Sequence, residues 1–499
     1  MIDPAAMLVL AIMTPAAGVI LAVALGGRAA GGVALVVAVA GAALALGITG
    51  TLWNSGTPLH YVIGGWSPPL GVALRADGLS AIMLLTSALV IGAIAAFAGA
   101  SFTRPPGQGG AQVEARMPLV FWVMLMGVWT GLNAVWLAAD LFSLYVALEL
   151  LTFAAVPLVA LEGKPETIAA ALRYLLFALI GSILYLLGCA LLYGAYGTLD
   201  IGLLAQAAHA EPVVWVAAAL MTAGLAAKTA LFPLHIWLPP AHAGAPAAAS
   251  ALLSALVVKG SFILIVRLWF DALPGIPGTG AAQLLGAMGA AAIIVGSVLA
   301  LRQARLKLMI AYSTVAQIGY LFFLFPLASA AGDWTGLAWT GGMLQLVAHA
   351  VAKAAMFMAA GLIGEALGHD RIAGFAGLGR ALPVVVFAFG LAGMSLMGLP
   401  PSGGFVAKAM LLTASVRAGQ WWWPVVIMIG GLLAAGYMFR VLAPALASGQ
   451  PAALVTRISM PRQAIVLSLA ICALLLGFMP LRPSQLLEIG RPAAAAVAR

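Results

Sequence analysis

The stretch Ala227-Lys228-Thr229-Ala230-Leu231-Phe232-Pro233-Leu234-His235-Ile236-Trp237-Leu238-Pro239-Pro240 lies inside a long apolar run, yet it carries a lysine, a histidine and three prolines. Proline has no N–H to bond the carbonyl four residues earlier, so Pro233 is expected to free the carbonyl of Thr229, next to Lys228. Unwound backbone at membrane depth survives only where protein or a wet cavity surrounds it. A second stretch has the same character: Gly398-Leu399-Pro400-Pro401-Ser402-Gly403-Gly404-Phe405, with Lys408 just beyond. Two broken helices, one in each half of the chain, point to an inverted repeat with an ion path at its centre.

The rest of the sequence is the setting such helices need. Of 499 residues, 64% are hydrophobic and 7% charged, with a mean hydropathy of +1.12, where a soluble chain would carry roughly 25% charge. Apolar runs longer than the roughly 18 residues needed to cross a bilayer recur throughout, and continuous apolar blocks exclude an outer-membrane barrel. An all-α membrane protein is expected, with fourteen spans at about 5–25, 31–53, 78–100, 118–138, 141–161, 168–195, 212–243, 249–270, 281–301, 308–328, 338–363, 383–416, 422–443 and 463–481. They form a single polytopic domain: 118–270 a first repeat, 281–443 a second, with flanking helices in 1–100 and 463–481. The longest hydrophilic connections, about 54–77 and 102–117, have no room for a globular unit.

Basic residues set the orientation. Arg28, Arg104, Arg116, Lys164, Arg173, Arg302, Arg305, Lys307, Arg371, Arg380, Arg440, Arg457 and Arg462 fall on one side; Arg75, Arg267, Arg417, Arg482, Arg491 and Arg499 fall on the other. The richer side is expected to be cytoplasmic, which places both termini outside. The net charge of +9 is therefore a matter of membrane insertion and not of nucleic-acid binding. Cys189 and Cys472 are too few and too far apart for a zinc or iron–sulfur site, and no phosphate loop, flavin fingerprint or haem pattern occurs, so no cofactor is expected.

What remains is charge where a membrane should hold none. Glu149, Lys228, Lys259, Lys353 and Lys408 lie deep in spans, and His349 sits one turn before Lys353. Each buried charge costs at least about 2.5–3.5 kcal/mol on insertion scales, a cost hard to justify by packing. Four of six lysines are intramembrane, whereas the 17 arginines keep to span ends, where Arg173, Arg267, Arg417 and Arg440 are expected to snorkel. Fixed structural cations would be served at least as well by arginine; lysine can release its proton as a carboxylate withdraws and regain it as one approaches. The imidazole of His349 suits either a proton relay or an interhelical hydrogen bond. His235 and His242 flank the first break and suit either a relay or the capping of freed carbonyls. Tyr312, Ser313, Ser250 and Ser254 could line a hydrated path or bond their own backbone.

These residues together resemble a known family, the antiporter-like membrane subunits shared by Mrp cation/proton antiporters, respiratory complex I and membrane-bound hydrogenases. The matching stretches are Asp140-Leu141-Phe142 through Glu149-Leu150; Lys228 through His235-Ile236-Trp237-Leu238-Pro239 to Pro246 and Ser250; Lys259-Gly260; Ala311-Tyr312-Ser313-Thr314 through Tyr320; His349 through Lys353-Ala354; and Gly398-Leu399-Pro400-Pro401 through Lys408. Tyr61-Val62-Ile63-Gly64-Gly65-Trp66 leading to Arg75-Ala76-Asp77-Gly78 looks most like the D-type branch of the Mrp subunits. Pro401-Ser402-Gly403-Gly404-Phe405 departs from the familiar Pro-Leu-Ser-Gly-Phe.

The resemblance implies fourteen helices, outward termini, two inverted five-helix repeats and breaks in helices seven and twelve. It further implies that Glu149 and Lys228 form a switchable ion pair, Lys259 and His349 act as central relays, and Lys408 is the terminal proton site. The expected function is a proton-translocating subunit of a multisubunit Na⁺/H⁺ antiporter in the inner membrane, or else the pumping subunit of a redox complex. The expected partners are sibling membrane subunits, lipid, protons and, if Asp140 and freed carbonyls supply ligands, Na⁺.

Overall fold

The computed structural model describes residues 5–102, 113–329, 332–447, 450–478 and 482–491. Arg104 and Arg499 lie outside the described residues, as does most of the 102–117 connection. The helices that matter here are α1 (Ala6–Leu25), α2 (Gly27–Ser55), α3 (Gly78–Phe102), α4 (Val113–Leu137), α5 (Leu141–Val159), α6 (Pro165–Tyr196), α7 (Pro212–Thr229) and α8 (Ala247–Ala272). They continue with α9 (Gly278–Arg302), α10 (Leu306–Leu321), α11 (Thr335–Leu367), α12 (Pro383–Met397), α13 (Gly403–Arg417), α14 (Trp422–Leu446) and α15 (Met460–Leu475).

Among the described residues, twelve helices are long and apolar enough to cross a membrane by themselves. The fourteen expected segments are recovered once α15, which is shorter, is added and α12 with α13 is counted as one broken span. Burial sorts them. The most apolar window of α8 is 100% buried and those of α11 and of the span Leu306–Ala328 89%, against 28% for α1 and α2, so these three form the centre and the N-terminal helices lie at the periphery.

Small residues let the helices approach. A Cβ on Gly224 of α7 would sit 2.3 Å from the carbonyl oxygen of Gly181 on α6, and one on Gly181 would sit 2.5 Å from that of Gly224. Only glycine allows this backbone-to-backbone contact, as in close-packed membrane helices generally. Lys228 lies one turn beyond Gly224, and so the same crossing brings its Cγ to 3.0 Å from a Cβ placed on Gly181.

Both breaks occur, but the first begins earlier than Pro233 implies. Helix α7 already stops at Thr229, because Ala230 adopts a left-handed conformation (φ 60°) and its N–H turns back to Ala226 and Ala227. The carbonyl that gains an outside donor is that of Ala227, which accepts from the Trp237 indole at 2.9 Å. The chain resumes as the short helix Leu238–Gly244. At the second break Gly398 (φ 81°) ends α12, and the Ser402 side chain caps α13 by accepting from the Phe405 N–H.

The all-α class holds, with one small addition in a connection: Leu59–Val62 and Ala73–Ala76 form an antiparallel hairpin in register Leu59↔Ala76 and Val62↔Ala73. One expectation needs correction: Arg267 does not snorkel to water. It is buried in a π-helical turn, Arg267–Ala272, where Nη1 and Nη2 grip Asp77 at 2.5 and 2.8 Å and Nη1 also meets Asp271 at 2.7 Å. Two carboxylates make burial of the guanidinium tolerable, and Asp77 sits there because it also caps α3 by accepting from the Ser80 N–H.

Candidate functional site: a row of buried lysines

The first cluster forms where α5, α6 and α7 meet. Lys228 Nζ lies 2.7 Å from Glu149 Oε1 and 3.2 Å from Thr152 Oγ1, one turn along α5. Ser182 donates a hydrogen bond to the same carboxylate oxygen. The side chains of Lys228 and Glu149 are 5% and 14% exposed, so the pair is desolvated enough for its charge to matter and open enough for its geometry to change. Lys228 occupies the last turn of α7, where the helix dipole favours a cation.

The other three lysines are held differently: each donates to a backbone carbonyl, and among the described residues none has a carboxylate within ion-pair distance. Lys259 Nζ donates to the Ser254 carbonyl, inside the π-turn Leu253–Val257. A π-turn shifts the ladder from i→i−4 to i→i−5 and leaves a carbonyl able to receive another donor. Lys353 donates to the Ile310 carbonyl at 2.9 Å and to the Ser313 hydroxyl. Lys408 donates at 2.5 Å to the Leu396 carbonyl, freed by the break after α12, and its ammonium lies 4.3 Å from the centroid of the Tyr320 ring. Gln317 shares the Leu396 carbonyl at 3.0 Å and receives Gln345 at 3.1 Å.

Two buried histidines lie among the lysines. His349 is 1% exposed, and neither ring nitrogen has a hydrogen-bond partner among the described residues. Buried polar groups are rarely left so, and those that are merit a functional reading. His349 lies within electrostatic reach of Lys259, Lys353 and Lys408. His242, also 1% exposed, is stacked on Phe357 with ring centroids 4.7 Å apart, within reach of Lys353, Lys259 and Lys307. The link from Lys228 to Lys259 is weaker: Thr229, the next residue after Lys228, donates its hydroxyl at 2.9 Å to Ser261, which follows Lys259 and Gly260.

The accessory candidates divide. Ser250 braces the helix of His242 by donating to its carbonyl at 3.2 Å. His235 stacks on Phe232 at the break, and the Ala227 carbonyl there is reached by Trp237. Tyr312 is half-buried against the core, and its neighbour Ser313 is the one that meets Lys353. Asp140 caps α5, accepting from the Ser143 N–H at 2.7 Å. It stands nine residues before Glu149, about 13 Å along the helix. The structure adds Ser182, Thr152, Ser261, Gln317 and Gln345 to the site. In the sequence nothing local distinguishes them from the many hydroxyls and amides that bond their own helix.

A polytopic helical protein with broken helices around a buried lysine row has the architecture of an antiporter-like membrane subunit. Residues 138–434 match the family described as NADH:quinone oxidoreductase/Mrp antiporter, TM. The chain is 36% identical over 401 residues to NADH-quinone oxidoreductase subunit N of Desulforudis audaxviator, covering 79% of this chain and 77% of that protein. It is 29% identical to the D subunit of the Na(+)/H(+) antiporter of Alkalihalophilus pseudofirmus, covering 76% and 74%. A chain of the Mrp complex from Dietzia superposes with a TM-score of 0.86 at 25% identity, over 99% of both chains. The protein belongs to the NADH:quinone oxidoreductase/Mrp antiporter membrane-subunit family.

Proposed function

We propose that this chain moves protons across the cell inner membrane as one subunit of a multisubunit complex, most like the D-type subunit of a Mrp Na⁺/H⁺ antiporter, with both termini on the outer side. The observation that carries the reading is the asymmetry of the row: one lysine, Lys228, with a carboxylate, and three, Lys259, Lys353 and Lys408, that donate to carbonyls and a hydroxyl with no carboxylate in ion-pair distance among the described residues. A proton placed on the row is drawn toward Glu149 when the pair is closed and released along the row when the carboxylate withdraws. His349, within reach of three of the lysines, passes it between them. A neighbouring subunit would drive the pair.

Protons fit this chain better than Na⁺. Asp140 spends its Oδ1 on the cap of α5 and keeps only Oδ2 without a partner among the described residues, and the carbonyls of Ala227 and Leu396 already accept from Trp237, Lys408 and Gln317. The two breaks and the lysine beside each support inverted repeats over about 118–270 and 281–443. The 36% identity to a subunit N favours a second reading, in which the same row pumps for a redox complex. Proton transport by reconstituted complex carrying Lys228→Met or Lys408→Met tests the proposal; near wild-type coupling in both would sink it. The proteins that copurify with the chain separate the two readings.

A further inference from the structure

Tyr437 of α14 is fully buried, and its hydroxyl has no hydrogen-bond partner among the described residues. A lone buried hydroxyl costs free energy, so one that persists calls for a reason. Its placement supplies one. On α14, Gly430 packs on Tyr320 of α10 so closely that an added Cβ would sit 2.3 Å from the Tyr320 hydroxyl. Two turns further along α14, Tyr437 lies within reach of the Ser313 hydroxyl and the Gln317 amide, which precede Tyr320 on α10 by two turns and one.

Those two neighbours serve different lysines. Ser313 accepts from Lys353 Nζ and donates at 2.8 Å to the Ile310 carbonyl, which leaves one lone pair of its oxygen open. Gln317 donates at 3.0 Å to the Leu396 carbonyl, the one Lys408 also uses, and its Oε1 accepts from Gln345 at 3.1 Å. That leaves the second N–H of the Gln317 amide open. One hydroxyl can fill both openings, donating to Ser313 and accepting from Gln317. The chain from Lys353 through Ser313, Tyr437, Gln317 and the Leu396 carbonyl to Lys408 is then unbroken.

We propose that the Tyr437 hydroxyl is a positioning group that links the Lys353 site to the Lys408 site, an inference that rests on the proton-translocating reading above. With the Lys353 ammonium on Ser313, the positive charge holds the phenol O–H away, and the hydroxyl is idle, as the structure has it. When Lys353 gives up its proton, Ser313 loses its charged donor and the phenol O–H turns to it. The phenol oxygen then takes the open N–H of Gln317, the amide loosens its hold on Leu396, and that carbonyl is left to the Lys408 ammonium. A proton leaving Lys353 therefore favours one on Lys408. The phenol keeps its own proton throughout; the lysines and His349 remain the carriers.

The test compares Tyr437→Phe, Gln317→Met, the double variant and Lys408→Met in the full complex in proteoliposomes. Phenylalanine keeps the ring and removes only an oxygen that bonds nothing in the resting arrangement. Proton transport in Tyr437→Phe is expected to slow roughly tenfold, while the melting temperature in detergent stays at the wild-type value or rises. Because the hydroxyl acts through Gln317, the double variant should be no slower than Gln317→Met alone. A Tyr437→Phe rate within about twofold of wild type overturns the inference. A slower rate accompanied by a lower melting temperature, the signature of a packing role, overturns it too, as does a double variant in which the two losses multiply. Loss of transport in Lys408→Met beside a normal Tyr437→Phe removes the link and leaves the row, whereas a normal rate in Lys408→Met removes the row itself.

Discussion

Shortening or neutralising Glu149 tests the central pair most directly. At 2.7 Å, and with an effective dielectric of 20, the attraction between Glu149 and Lys228 is about 6 kcal/mol. Glu149→Asp removes one methylene, about 1.5 Å, and lengthens the contact to roughly 4.2 Å, where the same expression gives about 4 kcal/mol. Glu149→Gln removes the charge and leaves Lys228 and the Ser182 donor facing an amide; breaking a buried pair in this way costs about 3–5 kcal/mol. If that energy governs loading of the row, transport should fall roughly 30-fold in the aspartate variant and roughly 150-fold or more in the glutamine variant. The assay is the initial rate of proton movement in proteoliposomes holding the intact complex, followed with a pH-sensitive dye and normalised to assembled complex. The graded order wild type, aspartate, glutamine is the signature. A glutamine variant within threefold of wild type, or an aspartate variant slower than glutamine, would refute the electrostatic reasoning.

Other predictions concern the frame. Trp237→Phe deletes the indole donor to Ala227, whose carbonyl keeps the Ala230 N–H, and trims a buried ring, so thermal stability in detergent should fall by at least the net value of one hydrogen bond, about 0.5–1.5 kcal/mol; an unchanged melting temperature would show that the indole bond does not hold the break. Gly224→Ala places a methyl 2.3 Å from the Gly181 carbonyl oxygen and should sharply lower folded yield, while Gly92→Ala, with nothing within 4 Å, should be neutral; equal yields would contradict the close crossing. At the N-terminal end of α3, burial pushes the Asp77 carboxyl up, but the Arg267 guanidinium outweighs it and holds the group below the usual carboxylate range. The resulting stability is full above the unfolded carboxylate pKa of about 3.9 and is lost as pH falls through the lower folded value. Detergent melts of Asp77→Asn should thus be lower than wild type near pH 7, and the gap should narrow toward pH 2; a constant gap would place the effect in packing alone.

Much of the site is legible in the sequence because it violates a rule the membrane imposes. Lys228, Lys259, Lys353 and Lys408 stand out in any hydropathy profile, and Pro233 and Pro400 mark the breaks to within a few residues. Arg267 misleads because its partners are distant: Asp77 lies 190 positions earlier, and a span-end arginine looks the same whether it meets water or a carboxylate.

Sequence alone therefore determined the class, the number of segments and the identity of the buried charges, all set by the cost of placing each residue in hydrocarbon. Tertiary structure decided which oxygen each charge meets. Glu149 could have served any of four lysines; the Gly181 and Gly224 crossing brings it Lys228. The carbonyls that hold Lys259, Lys353 and Lys408 come from a π-turn, a neighbouring helix and a helix end, and such oxygens are freed only when the backbone has folded. Hydrophobic burial is a property of composition and can be read along a chain; hydrogen bonds between segments depend on angstrom-scale distances that packing alone sets.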